Sequence, residues 1–214
     1  MATVDSLKSL LVEQVKDLYD AEKRLTKAIP KLAKASTNEE LQTALQEHLD
    51  ETETQVSRLE QVFELLDERP KAKPCEGMKG LIEEGDEHAK EDYDDDDLRD
   101  AMIIGSAQRV EHYEIAGYGT AIAHARLLGL DDVVELLEST LEEEKAADVK
   151  LTEIAESVVN LEAAAGDEDE EEMAAGPSTR GRQSGSARQA AADRARRSRA
   201  GSSARSSKGS RSRR

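Results

Sequence analysis

Apolar residues recur at three- and four-residue intervals through residues 4–161, in four blocks of about thirty residues divided by short breaks. That periodicity admits long amphipathic helices and little else. In the first block Leu7, Leu11, Val15, Leu18, Leu25 and Ile29 share a face, predicting a helix from about Val4 to Ala35. Pro30 is expected to kink it or end it early. Ser36 or Thr37 with Glu39 or Glu40 three residues on forms a capping-box pattern, predicting an N-cap at the serine or threonine. The second helix then runs to about Glu68 through Leu41, Ala44, Leu45, Leu59, Val62 and Leu66. Pro70, Pro74 and Gly77 mark a break, and MKGLIEEGDEHAK reads as a short amphipathic helix before the acidic turn YDDDD. A third long helix is expected from about Asp97 to Leu128, where Gly129 stops it, and a fourth from Asp131 to about Leu161.

Aromatic residues are 2% of the chain, and no stretch has the β-branched alternation of a strand. The expected fold is therefore all-α. Tight turns make helices one and two, and three and four, antiparallel hairpins. The longer link between them, carrying the short fifth helix, can traverse the whole bundle, as in the single-crossover topology of ferritin-like folds. Residues 1–165 form this bundle. Residues 166–214, acidic at DEDEEE and then Gly/Ser/Ala/Arg-rich, are expected to be disordered for want of apolar residues.

The net charge of −17 conceals a division: from Gly176 to Arg214 there are twelve Lys/Arg and one acid, Asp193, a balance of +11 that leaves −28 on residues 1–175. So acidic a body is a poor nucleic-acid ligand, whereas the tail can neutralise phosphates without reading bases. No apolar run approaches the length of a membrane span, and MATVDSLKSL shows no basic-then-apolar signal pattern, so a cytoplasmic protein without membrane contact is expected. The single cysteine, Cys75, reads as an inert loop residue.

Each long helix places an acid where its apolar stripe runs. At about 100° per residue, Ile104, Ile115, Tyr118 and Ile122 lie within roughly 40° of Glu111, with Glu114 about 60° away. Glu22 shares a face with Leu11, Val15, Leu18, Leu25 and Ile29, and Glu144 with Val133, Leu137, Leu141 and Leu151, with Asp148 beside it. His48 and Glu51 lie on the flank of helix two that carries Ala44, Gln55 and Val62. One such acid is commonly a boundary residue in a surface ion pair. Acids on all four helices, near mid-length, predict one layer in which carboxylates repel unless cations hold them. A mostly oxygen donor set suits iron or manganese. His112 points away from Glu111 and is expected near the surface or behind a ligand. His88 and His124 are expected to be structural, and Tyr19 and Tyr118 to flank the layer.

The stretches DLYDAEKRL, EHLDETETQVSRLEQVFE, RVEHYEIAGYGT and LEEEKAADVKLTEIA resemble, in order and over about residues 5–162, the YciE/YciF-like branch of the ferritin-like superfamily. The resemblance implies a ferritin-like four-helix bundle, a homodimer, a di-iron centre and a stress-response role. It matches Glu22, Glu51, the pair Glu111 and Glu114, and Glu144 to the metal ligands. The order His48-x-x-Glu51 departs from the usual Glu-x-x-His, and Ala147, next to Asp148, stands where a histidine is common. The ligand set expected is thus Glu22, His48, Glu51, Glu111, Glu114, Glu144 and Asp148, holding two iron ions or manganese, with Glu51 and one helix-three glutamate bridging. Ferroxidase- or peroxidase-like activity would follow. The other expectation is a metal-free helical interaction protein whose tail binds nucleic acid irrespective of sequence.

Overall fold

The computed structural model describes residues 4–165; the tail expected to be disordered lies outside the described residues. α1 (Leu7–Ala35) starts from a capping box in which Ser6 Oγ accepts the Ser9 N–H and Ser9 Oγ accepts the Ser6 N–H. Pro30 neither ends nor breaks it. Its ring lies on the exposed side, while Ile29 next to it is buried, so the helix bears the proline away from the core.

α2 (Glu39–Leu65) is capped by Asn38, whose side chain accepts the N–H groups of Glu40 and Leu41. The expected cap at Ser36 or Thr37 is displaced by a distant side chain. The buried Asp100 carboxylate takes the Thr37 N–H and hydroxyl and the Asn38 N–H, at 2.6–3.1 Å, which holds Thr37 outside the helix. Residues 66–95 carry α3 (Glu76–His88) back along the bundle. α4 (Asp96–Leu127) starts from Asp95 and ends at Gly129, whose φ of +68° suits a glycine at that turn. α5 (Asp131–Ile154) continues through a π turn, Ala155–Val159, and residues 160–165 stay helical. The described residues contain no strand.

α1 packs on α2 and α4, and α5 completes the square by packing on the same two. The crossover makes every adjacent pair antiparallel, the ferritin-like arrangement. α3 lies over the groove between α1 and α4. Gly77 at its start admits the Tyr113 ring, which a Cβ there would meet at 2.7 Å.

The core is two cores. One joins Leu11, Val15, Leu18, Leu59, Phe63, Ile122 and Leu137. The other joins Leu25, Ile29, Leu41, Leu45, Met78, Ile103 and Ile154. Between them every long helix gives up its apolar stripe: at Glu22 in α1, at His48, Thr52 and Gln55 in α2, at Glu111 and Glu114 in α4, and at Thr140 and Glu144 in α5. All of these side chains are buried.

Asp100 ties the turn between α1 and α2 to α4. Asp100→Ala leaves two backbone N–H groups unpartnered and should lower stability by about 2–4 kcal/mol, measured as a lower urea midpoint with an unchanged slope.

Candidate metal centre

Placement of the buried polar layer follows from helical register. α2 turns the stripe Leu41, Leu45, His48, Thr52, Gln55, Leu59 and Val62 inward, all buried. This puts His48 at the centre and leaves Glu51 about 60° from it, at the rim, where the side chain is 48% exposed. On α4 the buried positions Val110, Glu111, Glu114 and Tyr118 bring both glutamates inward together, as their spacing predicts.

His48 Nε2 lies 3.4 Å from Glu111 Oε1 and 3.9 Å from Glu144 Oε2, and these three residues offer ligand atoms within 4.8 Å of one another. Glu22 and Glu114 border this group, each acting on the same carboxylates through charge. Tyr118, which is fully buried, donates a very short hydrogen bond to Glu22 Oε1. Most of the remaining polar atoms are orphans: Glu22 Oε2, Glu111 Oε2, both oxygens of Glu114 and of Glu144, and both His48 ring nitrogens have no hydrogen-bond partner. Buried polar atoms are normally satisfied, so such a concentration in one layer sets it apart as a group that could hold a cation.

Electrostatics agree with the geometry. Burial, and then the charge of Glu144, push the Glu22 and Glu111 carboxyls well above their ordinary 4.5. Glu114 rises by burial and then by the charges of Glu22 and Glu144. Glu144 is raised by burial, with His48 offsetting part of the rise. Tyr118 is likewise pushed well up, by burial and the Glu22 charge. Without a cation, then, the layer favours neutral carboxylic acids.

Of the sequence-predicted ligands, Glu22, His48, Glu111, Glu114 and Glu144 are brought together and buried. Glu51 stands outside them, its Oε2 3.6 Å from His48 Nδ1. Asp148 is half-buried one turn along from Glu144, accepting from Gln108 and lying 3.5 Å from the ring of His112, which is 68% exposed. His88 bonds the Ser106 hydroxyl at 2.8 Å. Cys75 lies in the loop as expected, at the N-cap position just before α3, and is buried. Its Sγ lies 2.9 Å from the Tyr113 hydroxyl, and burial pushes the thiol up, away from the reactive thiolate.

Periodicity missed a brace behind the layer. Arg58 makes a two-pronged bond to Glu143 at 2.7 and 2.8 Å and donates to Thr140 Oγ1. Gln55 donates to the same Glu143 carboxylate. Partial burial raises Glu143, but the hydrogen bonds from Arg58 and Gln55 together with the Arg58 charge outweigh it and hold the carboxyl below its ordinary value. The brace pins α2 to α5 beside Glu144. Only the polar Gln55 and Thr140 at inward positions hinted at it.

The layer opens to the surface between α2 and α5 through a cavity of about 170 Å³ lined by Glu47, His48, Glu51, Glu111, Ala147 and Lys150. Ala147, where a histidine was looked for, contributes a small side chain that keeps this mouth open.

Residues 6–164 match the family described as domain of unknown function (DUF892). The chain belongs to that family. It is similar to Protein YciF of Escherichia coli (strain K12), 45% identical over 159 residues, covering 74% of this chain and 95% of that protein. The crystal structure of the E. coli stress protein YciF superposes with a TM-score of 0.70 at 44% identity, covering 73% of this chain and 99% of that one. YcfI from Rhodopseudomonas palustris gives 0.68 at 46% identity, covering 70% and 94%. A Xanthomonas campestris protein, 23% identical over 75% of this chain and 98% of its own, shares the fold with a TM-score of 0.59. Among the described residues, no helix of this family member is long and apolar enough to cross a membrane.

A raised carboxyl holds its proton more tightly in the folded protein than in the unfolded chain. The metal-free folded state therefore binds the extra protons above pH 4.5, and the stability these four groups contribute falls as pH rises from there through their folded values. Glu114→Gln should accordingly stabilise the metal-free protein at pH 7 and flatten its loss of stability between pH 5 and 7, as read by denaturant melts.

Proposed function

We propose that this bundle is a di-metal carboxylate protein, binding two iron ions, or manganese, in the layer between its two cores and acting in a stress response. The observation that carries this reading is the set of unpartnered, buried donor atoms on four helices. Its four buried glutamates, Glu22, Glu111, Glu114 and Glu144, carry −4 when ionised, which two divalent cations balance. Carboxylates with one imidazole and no thiolate suit iron or manganese over zinc. The stress role rests on likeness to E. coli YciF, described as a stress protein.

Glu22, His48, Glu111, Glu114 and Glu144 would hold the ions. Bound iron supplies electron transfer to dioxygen or peroxide, the ferroxidase- or peroxidase-like chemistry open to such a centre. The protein's own groups do the rest. Tyr118 fixes the Glu22 carboxylate by its hydroxyl, the apolar clusters on either side exclude water, and the Arg58–Glu143 brace holds α2 and α5 at the spacing His48 and Glu144 require. Glu51, at the mouth beside His48, would offer a hydrated carboxylate to a cation entering the layer. Asp148 holds Gln108 and His112 behind Glu144.

Because the layer favours carboxylic acids, cation uptake must expel protons. Calorimetry in buffers of different ionisation enthalpy should show proton release on Co(II) or Mn(II) binding near pH 6. Anaerobic Fe(II) should load to two ions per chain, and Glu144→Ala should lose bound metal with its helical signal intact. Tyr118→Phe should weaken binding about 10–100-fold, as removal of an orienting partner does. Less than one Fe(II) per chain in the native protein would overturn the assignment.

The segment Gly176–Arg214 supports a second and separable role. Its balance of +11 against an acidic body favours sequence-blind, salt-dependent contact with nucleic acid. Full-length protein should retard DNA in a gel at low salt, and a chain ending at Ala175 should not.

A further inference from the structure

His48 and Glu111 line a second cavity, on the face of the bundle across from the polar mouth. It lies between α1 and α4 beneath α3, with a volume of about 30 Å³. Its walls are Leu25, Ile29, Leu45, Ile82, Ala107 and Val110. The polar groups at its outer end are occupied: Asp86 pairs with Lys31 at 2.9 Å, and the Ser106 hydroxyl is taken up by the Met102 carbonyl and His88. Only at the inner end do free polar atoms remain, the His48 ring nitrogens and Glu111 Oε2.

From this we propose that the cleft under α3 admits and holds a small uncharged oxidant, dioxygen, and delivers it to the buried layer from the side opposite the cation's entrance. The inference rests on the di-metal reading of the layer. Apolar walls offer water few partners, and a cation would lose its hydration there without compensation, so neither competes for the space. Dioxygen has no charge and no hydrogen-bond donor to satisfy, and a dry apolar cavity of this kind takes up such molecules. Hydrogen peroxide, with two O–H donors, belongs to the other entrance, where Glu47, Glu51 and Lys150 can bond it. The two routes meet at His48 and Glu111. In the dioxygen reaction two Fe(II) give up one electron each, and one dioxygen takes both with two protons and leaves as hydrogen peroxide. In the peroxide reaction one peroxide takes the two electrons with two protons and leaves as two waters.

Xenon is the probe. In metal-free crystals under xenon pressure, a xenon atom should appear between Leu25, Ile82 and Ala107 in the native protein and be lost in Ala107→Leu, or in Ala107→Val where the larger side chain disturbs the helical signal. In solution the same variant should bind Co(II) as the native protein does. It should oxidise bound Fe(II) several-fold more slowly with dioxygen and at the native rate with peroxide. Absence of xenon from the native cleft, or equal slowing with both oxidants, overturns the proposal. Failure to bind Co(II) would instead overturn the metal centre and leave the xenon result to stand on its own.

Discussion

Everything in this bundle is arranged around the cost of burying four carboxylates at one level. Apolar packing above and below supplies the stability, and the layer spends part of it. Acids in an apolar interior without a counter-charge either protonate or drive the surrounding helices apart, and the raised carboxyls show the first outcome. Their orphan oxygens show that hydrogen bonding within the protein does not resolve the problem. The donor set is held in place by structure formed elsewhere.

That structure consists of a few long-range polar contacts. Asp100 ties the turn between α1 and α2 to α4, and the Arg58–Glu143 bond clamps α2 to α5. The Arg58–Glu143 bond lies beside the layer and Asp100 about three turns of α4 before Glu111, and both acids are fully engaged. Asp100 is satisfied by backbone and hydroxyl donors, and Glu143 by a guanidinium and an amide. Their contrast with Glu114, whose two oxygens bond nothing, separates acids that tie the fold together from acids left without a partner inside it.

The fold was legible because helical periodicity persists for many turns and the breaks are chemically unambiguous. Gly129 ends α4 as expected, and the four buried glutamates, Glu22, Glu111, Glu114 and Glu144, are all ones the spacing placed on inward faces. What escaped depended on neighbours remote in sequence or on fine angles. Thr37 would cap α2 by local pattern, but Asp100 claims its backbone. Pro30 would break an isolated helix, but it falls on the solvent face. Glu51 sits beside the inward stripe of α2, close enough for sequence spacing to include it and far enough for packing to leave it at the rim. Arg58 and Glu143 gave no sign, since charged residues are common along every helix of this chain.

The division of the core has one more consequence. Two apolar clusters separated by a proton-laden layer are coupled only through the helices that run across it. A ligand that binds the folded layer and not the unfolded chain raises stability in proportion to the logarithm of its concentration. The abundance of the folded chain inside a cell would then track the free pool of that ligand, since unliganded copies open more often and reach proteases sooner. The same seam that weakens the core would thus make the lifetime of a liganded protein a gauge of the ligand's supply.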